Sequence, residues 1–251
     1  MHRAGILNTS IPVVFSHASL ITYRGAQLLR ATDQYISITP ESEMHYGQTH
    51  PHNHLFPVHT QASLGVDTHM TFSTDILTQA RIWLQSVRYK LFDDALSRWR
   101  APATNPMSVN QAFLLATRNG ALALRRPDLG IIAEGATADL VVWDGESPSL
   151  LGWRDPVAAV ILHASVADIE HVLVGGDFVK RDGKITAPGY GDLKKRFLKS
   201  TQRIQETFIT QRPTREPEPG ELFYEGGAEL VDVAQVDVTR GEGNGYGQEF
   251  L

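Results

Sequence analysis

Three short apolar segments, each running into a titratable side chain, most constrain the fold of this 251-residue chain. Residues 13–16 precede His17, residues 35–39 precede Pro40 and Glu41, and residues 62–66 precede Asp67. A helical pattern separates the first two segments, and a strand–helix–strand order pairs strands in parallel through right-handed crossovers. The carboxyl ends of parallel strands share one edge. We therefore predict an α/β fold whose strands deliver these side chains to one edge, where β/α-barrel enzymes keep their active sites.

Composition and charge exclude several classes of protein. The chain is 42% hydrophobic and 20% charged, and it has no apolar run of the roughly 18 residues that a membrane span needs. It has no cysteine, so a metal site would need His, Asp or Glu ligands. The net charge is -5, and the excess of acidic residues lies in the tail, where residues 213–251 hold nine acidic and two basic side chains. A nearly neutral body argues against nucleic-acid binding, and a reducing cytoplasmic location is the default expectation.

Beyond residue 69, the pattern predicts two helices and then a change of period. Apolar residues at helical spacing predict a long helix over 76–99, and Ser108 is expected to cap a second helix that Pro127 and Gly130 stop. Short apolar runs at 139–143, 157–162 and 172–174 have strand length, and Gly175-Gly176 signals a hairpin. We predict a barrel portion over 1–129, β strands over 130–190, a helix over 191–211 and an acidic disordered tail over 212–251.

Asp67 and His17 are the two candidate catalytic residues. A strand-end carboxylate such as Asp67 can bind a divalent metal and take a proton from metal-activated water, or it can simply cap the turn that follows. A neutral His17 can hold the attacking water or polarise a substrate carbonyl, or it can hydrogen-bond a neighbouring loop. The residues themselves leave these alternatives open.

A second group of candidates follows the middle segment. Glu41, Glu43 and His45 are expected to line a substrate pocket, with ordinary loop polarity as the alternative. The same stretch carries a cluster of histidines at positions 45, 50, 52, 54 and 59, and two of its pairs are spaced His-x-His. Because prolines interrupt the cluster, no rigid strand is expected beneath it. Adventitious metal binding is favoured there over a catalytic metal site.

Several motifs resemble the amidohydrolase superfamily, and more narrowly its cytosine deaminase and triazine hydrolase branch. They occur along the chain in the same order as in that family. They are Phe15-Ser16-His17-Ala18-Ser19, Ile36-Ser37-Ile38-Thr39-Pro40-Glu41 and Leu64-Gly65-Val66-Asp67. Residues 116–121, the stretch 130–144 and the Gly175-Gly176 hairpin also resemble that branch. The resemblance spans residues 5–190. It implies the C-terminal part of a (β/α)8 TIM barrel followed by a small partial β-sandwich.

The resemblance also implies the chemistry. Asp67 would be a metal ligand and proton shuttle, and His17 would orient the attacking water or the substrate. The reaction would be hydrolysis of a non-peptide C–N bond, often deamination of a nitrogen heterocycle, by water activated on one zinc or iron ion. The expected partner is therefore a small-molecule substrate, with no nucleic acid and no membrane.

The resemblance leaves part of the family's metal site without a counterpart. In the family, a His-x-His pair on the first barrel strand and a histidine on the fifth complete the site, whereas this chain is expected to begin just before the sixth strand. We therefore expect the chain to be a poor enzyme by itself. A complementing N-terminal half would restore activity, as would the missing strands if the gene sequence is truncated, and a homo-oligomer is the other expected partner. Alternatively, the chain is a non-catalytic protein that binds a partner through its open strand edges.

Overall fold

The computed structural model describes residues 2–48, 56–69, 71–211, 220, 222–223, 228–229 and 231. The chain divides into two compact units, residues 1–190 and 191–251. The second unit contains most of helix α8 (Tyr190–Thr210) and a two-stranded antiparallel pair, β8 (Leu222–Phe223) and β9 (Ala228–Glu229). Within the described residues, no helix combines the length and the apolar character that crossing a bilayer requires.

A three-stranded parallel sheet organises the start of the first unit, as predicted. Its strands are β1 (Val14–Ser16), β2 (Tyr35–Ile38) and β3 (Ala62–Leu64), with β2 in the centre. Helix α1 (Tyr23–Ala31) connects β1 to β2, and α2 (Pro40–His45) and α3 (Phe56–His59) lie between β2 and β3. The Thr22 hydroxyl accepts the Gly25 N–H and starts α1, the helix predicted between the first two strands.

Helices pack on this sheet and form one apolar core with it. They are α4 (Ile76–Leu96), α5 (Val109–Ala116), α6 (Arg118–Ala123) and α7 (Pro156–Leu162). Helix α4 buries Leu77, Ala80, Trp83, Leu84 and Val87, and this helical spacing confirms the long predicted helix. Ser108 caps α5 in a capping box with Gln111, also as predicted. The second predicted helix is interrupted at Thr117, whose φ of -129° and ψ of -90° separate α5 from α6.

An antiparallel sheet follows in the sequence. It contains β4 (Leu140–Trp143), β5 (Ile169–Val174), β6 (Asp177–Arg181) and β7 (Lys184–Ile185), paired in that order. The predicted hairpin is present, and both Gly175 (φ 59°) and Gly176 (φ 92°) have the positive φ that a two-residue turn of this kind requires. The described residues between 130 and 190 form this single antiparallel sheet. The partial β-sandwich therefore stays a prediction.

The predicted strand over 157–162 is wrong, because those residues form helix α7. The Asp155 carboxylate accepts the N–H groups of Val157 and Ala158, and Pro156 occupies the first helical position. Arg81 of α4 donates to the carbonyl oxygens of Ile161 and Ala164 at 2.9 and 2.6 Å and so joins α4 to the end of α7.

Candidate functional site

The carboxyl ends of β1, β2 and β3 lie side by side at one edge of the parallel sheet. The ladder continues one residue past β1, where the His17 N–H donates to the Ser37 carbonyl at 2.9 Å. It also continues past β3, where the Gly65 N–H donates to the Ile38 carbonyl at 2.8 Å. His17 and Asp67 therefore follow strands whose ends are fixed by backbone hydrogen bonds. We call the group His17, Thr39, Ser42, Glu43 and Asp67 the strand-end site.

Both candidate catalytic residues adopt the left-handed backbone conformation. His17 has φ 60°, its neighbour Ala18 has φ 53°, and Asp67 has φ 63°. A non-glycine residue pays a steric cost of about 1–2 kcal/mol in this region. Such strain concentrates at functional sites, where the surrounding structure holds a side chain in place. Asp33, Trp99, Arg125 and Asp182 share this conformation, so it fixes the backbone of His17 and Asp67 without by itself assigning them a function.

Because of this backbone conformation, we expect Asp67→Gly to be more stable than Asp67→Ala, which is the reverse of the usual order. Glycine ordinarily lowers stability relative to alanine, but at φ 63° it avoids the clash that the alanine Cβ retains. We expect Asp67→Gly to have a free energy of unfolding about 1 kcal/mol higher than Asp67→Ala. Urea denaturation followed by circular dichroism measures the difference, and an Asp67→Ala protein equal to or more stable than Asp67→Gly would contradict the strained conformation.

His17 contacts a buried carboxylate. Its Nδ1 lies 3.1 Å from Glu43 Oε1, and the Glu43 side chain is 1% exposed whereas that of His17 is 31% exposed. Glu43 Oε1 also accepts the Thr39 N–H at 2.9 Å and the Thr39 hydroxyl at 3.3 Å. Glu43 is therefore fixed against His17 and the end of β2 and is not part of a solvated loop.

Helix α2 carries all three candidate substrate-binding residues, so they do not lie in a loop, as the alternative interpretation assumed. Pro40 at its first position and two glutamates in its first turn favour the helix. Glu41 Oε2 accepts hydrogen bonds from the Ser73 hydroxyl and N–H and from Gln79 Nε2. Its carboxylate thus joins α2 to the start of α4. His45 is exposed, and its ring contacts Phe72 edge-on at a centroid distance of 5.1 Å.

A buried hydroxyl holds the Asp67 carboxylate. Ser42, which is 2% exposed, donates from Oγ to Asp67 Oδ2 at 2.5 Å. Asp67 is itself exposed, so its carboxylate is accessible while the Ser42 contact orients it. Sequence reasoning missed Ser42, because nothing in the pattern shows that a residue of α2 reaches the turn after β3.

The chemical nature of these donors fits part of a metal centre. Asp67 offers a carboxylate oxygen, which zinc and iron accept as a ligand, and His17 offers an imidazole nitrogen that can hold a water molecule. A catalytic zinc site uses three protein ligands, and in the described residues the strand-end site offers no group of three within 4.8 Å. Positions 50, 52 and 54 of the histidine cluster lie outside the described residues, and His59 is buried at the end of α3.

The described residues do bring three potential ligands together elsewhere. The ligand atoms of Glu170 and His171 in β5 and of Asp182, just after β6, lie within 4.8 Å of one another. The His171 Nδ1 already accepts the Asp182 N–H at 3.1 Å, so this nitrogen serves the fold. The group belongs to the antiparallel sheet and not to the strand-end site.

Comparisons with known proteins agree on one family. The sequence profile of the Amidohydrolase family matches residues 8–179. A 5-methylthioadenosine/S-adenosylhomocysteine deaminase from Pyrococcus horikoshii is 27% identical over 191 residues, which are 74% of this chain and 41% of that protein. This chain therefore spans less than half the length of that relative.

Solved structures show the same fold. A zinc-bound adenosine deaminase from Xanthomonas campestris superposes with a TM-score of 0.69 at 19% identity, covering 82% of this chain and 45% of that one. The zinc complex of the atrazine chlorohydrolase TrzN from Arthrobacter aurescens gives a TM-score of 0.57 at 20% identity, covering 76% and 40%.

Proposed function

This chain belongs to the amidohydrolase family, in its deaminase and triazine hydrolase-like branch, and on that premise we propose that it is the C-terminal part of a metal-dependent hydrolase. The reaction is hydrolysis of a non-peptide C–N bond, with deamination of a nitrogen heterocycle as its class. The observation that carries the proposal is the Asp67 carboxylate at the end of the third parallel strand, oriented by Ser42 and accompanied by His17.

Asp67 would hold the metal as one of its ligands, and the remaining ligands would come from residues outside the strand-end site. When bound, a divalent ion would supply a Lewis acid and a water molecule of lowered pKa. His17 positions the attacking water through the ring nitrogen that Glu43 does not contact. Asp67 accepts a proton and passes it to the leaving nitrogen. Zinc is proposed because the two solved neighbours contain it, and iron suits the same ligands.

An assembled enzyme requires more strands than the described residues provide. A closed β/α barrel has eight strands, and β1 pairs here only with β2, which leaves the other edge of β1 open in the described structure. Val14 of β1 is exposed, and so are Ile11 and Leu20, which precede and follow this strand in the sequence. We propose that further β/α units pair at β1, supplied by an N-terminal half or by another copy of the chain.

The experiment is to assay ammonia release after reassembly. This chain is co-expressed with the part of the Pyrococcus horikoshii deaminase that it does not match. The complex of the two parts is purified and supplied with zinc, and we call it the assembled protein. The substrates are 5-methylthioadenosine, S-adenosylhomocysteine and adenosine. We expect ammonia from the assembled protein and none from either part by itself. A stable complex that deaminates none of them would contradict the proposal.

That second outcome would favour the other candidate function, a non-catalytic interaction protein. The open edge of β1 and its exposed apolar neighbours are the observation behind it, since unpaired strand edges bind partners by strand addition.

A further inference from the structure

We infer that Glu43 is a positioning residue that fixes the tautomer of His17, with the ring hydrogen on Nδ1 and Nε2 left as the acceptor. Its functional meaning rests on the proposed function, because a ring with an acceptor Nε2 can take a hydrogen bond or a proton from attacking water. The tautomer itself is a property of this chain that needs neither metal nor substrate.

The hydrogen-bonding capacity of the atoms around Nδ1 determines the tautomer. An ionised carboxylate can only accept, and Glu43 Oε1 lies 3.1 Å from His17 Nδ1. The same oxygen accepts the Thr39 N–H at 2.9 Å, as a carboxylate does. The ring nitrogen must therefore be the donor in the His17–Glu43 contact.

The Thr39 hydroxyl supports the same assignment. Its oxygen lies 3.1 Å from His17 Nδ1 and 3.3 Å from Glu43 Oε1, so the hydroxyl can donate to the carboxylate and accept from the ring. A hydroxyl that donates to Glu43 presents its lone pairs to the ring. A ring with hydrogen on Nδ1 satisfies both contacts, whereas an unprotonated Nδ1 would place its lone pair against the Glu43 oxygen at 3.1 Å.

Because Glu43 is buried and His17 is partly exposed, Glu43 is the residue that orients the other in their contact. Glu43 is 1% exposed and sits on a helix that begins at Pro40, whereas His17 occupies a strand end at 31% side-chain exposure. A buried carboxylate is costly without donors around it, so separating it from His17 is unfavourable. The fixed partner is Glu43, and the ring orients to it, as the aspartate of a catalytic triad orients its histidine.

The test is nitrogen-15 spectroscopy of the histidine ring in the full chain. A neutral histidine in water mostly carries its hydrogen on Nε2, so Glu43 must reverse the ordinary preference. Protein labelled with ¹⁵N-histidine is studied at about pH 8, above the ordinary histidine pKa of about 6.5. Long-range ¹H–¹⁵N spectra identify His17 as the signal set that His17→Gln removes. We expect a protonated Nδ1 and an unprotonated Nε2, and a protonated Nε2 would overturn the inference.

Matched variants separate Glu43 from its neighbours. In Glu43→Ala the His17 signals should change to the Nε2-protonated pattern. In Glu41→Ala, which removes a carboxylate from the same helix turn, they should not change, because Glu41 contacts Ser73 and Gln79. An unchanged tautomer in Glu43→Ala would overturn the role of Glu43.

Thr39→Val tests the inference even where Glu43→Ala does not fold. It removes the hydroxyl near Nδ1 and leaves the carboxylate, so His17 should keep its hydrogen on Nδ1. A change of tautomer in Thr39→Val would assign the role to Thr39 and overturn the inference. The ammonia assay is independent of these spectra, so the failure of the proposed function is distinguishable from the failure of this inference.

Discussion

Replacing Asp67 with alanine is expected to lower ammonia release by the assembled protein at least about 100-fold. Loss of a residue that only orients a metal ligand costs about 10–100-fold in metal affinity or activity, and loss of the ligand itself should cost no less. Asp67→Asn sharpens the test, because asparagine tolerates the left-handed φ of 63° and still accepts the Ser42 hydrogen bond. It lacks the negative charge and one of the two carboxylate oxygens, and we expect a comparable loss.

Asp33→Ala is the matched control for Asp67→Ala. Asp33 is also an aspartate with positive φ, at 51°, but it precedes β2 and so lies at the opposite edge of the sheet. It pairs with Arg125 at 3.0 Å near the surface, and exposed ion pairs contribute about 0–1 kcal/mol. We expect activity within about twofold of the parent. Equal losses in Asp33→Ala and Asp67→Ala would mean that the Asp67 effect is not one of metal binding.

Trp83→Ala is expected to lower the free energy of unfolding of the chain by about 3–5 kcal/mol. Trp83 is 2% exposed in the middle of α4 and belongs to the core shared with the parallel sheet. Truncating it removes its transfer free energy and leaves a cavity that the neighbours fill only in part. Urea denaturation monitored by far-ultraviolet circular dichroism, which reports helix content, measures the change.

Trp99→Ala provides the comparison, because Trp99 lies just beyond the same helix and is 100% exposed. Its truncation should change the free energy of unfolding by no more than about 0.5 kcal/mol. Similar losses from the two tryptophans would contradict the packing of α4 against the sheet.

The sequence was most informative where one periodicity dominated. The strand segments that end at His17 and Asp67 were recognisable because each is apolar, short and followed by polar residues, and the strand order implied parallel pairing. Helix α4 was recognisable because its apolar residues recur at helical spacing over several turns.

The prediction was wrong where a short apolar run lacked periodicity. Residues 157–162 are apolar throughout, so their spacing does not distinguish a strand from a buried helix. Asp155 and Pro156, a helix cap followed by a residue suited to the first turn, were the signal for α7. Pro40 gave the same signal for α2.

The contacts of the strand-end site could not be predicted from the sequence. His17 and Glu43 are 26 positions apart, and Ser42 and Asp67 are 25 positions apart. Neither spacing follows from strand or helix geometry, because helix α2 and the connections around it decide which side chains meet. Ser42 and the role of Glu43 therefore emerged only from the folded structure.

The most direct test of the account is the zinc content of the assembled protein, measured by mass spectrometry together with its Asp67→Ala and Asp33→Ala variants. We predict about one zinc per complex in the parent and in Asp33→Ala, and a large loss in Asp67→Ala, since Asp67 is proposed as one of the protein ligands of the metal. Stoichiometric zinc that Asp67→Ala leaves unchanged would show that Asp67 is not a metal ligand, and it would contradict the account.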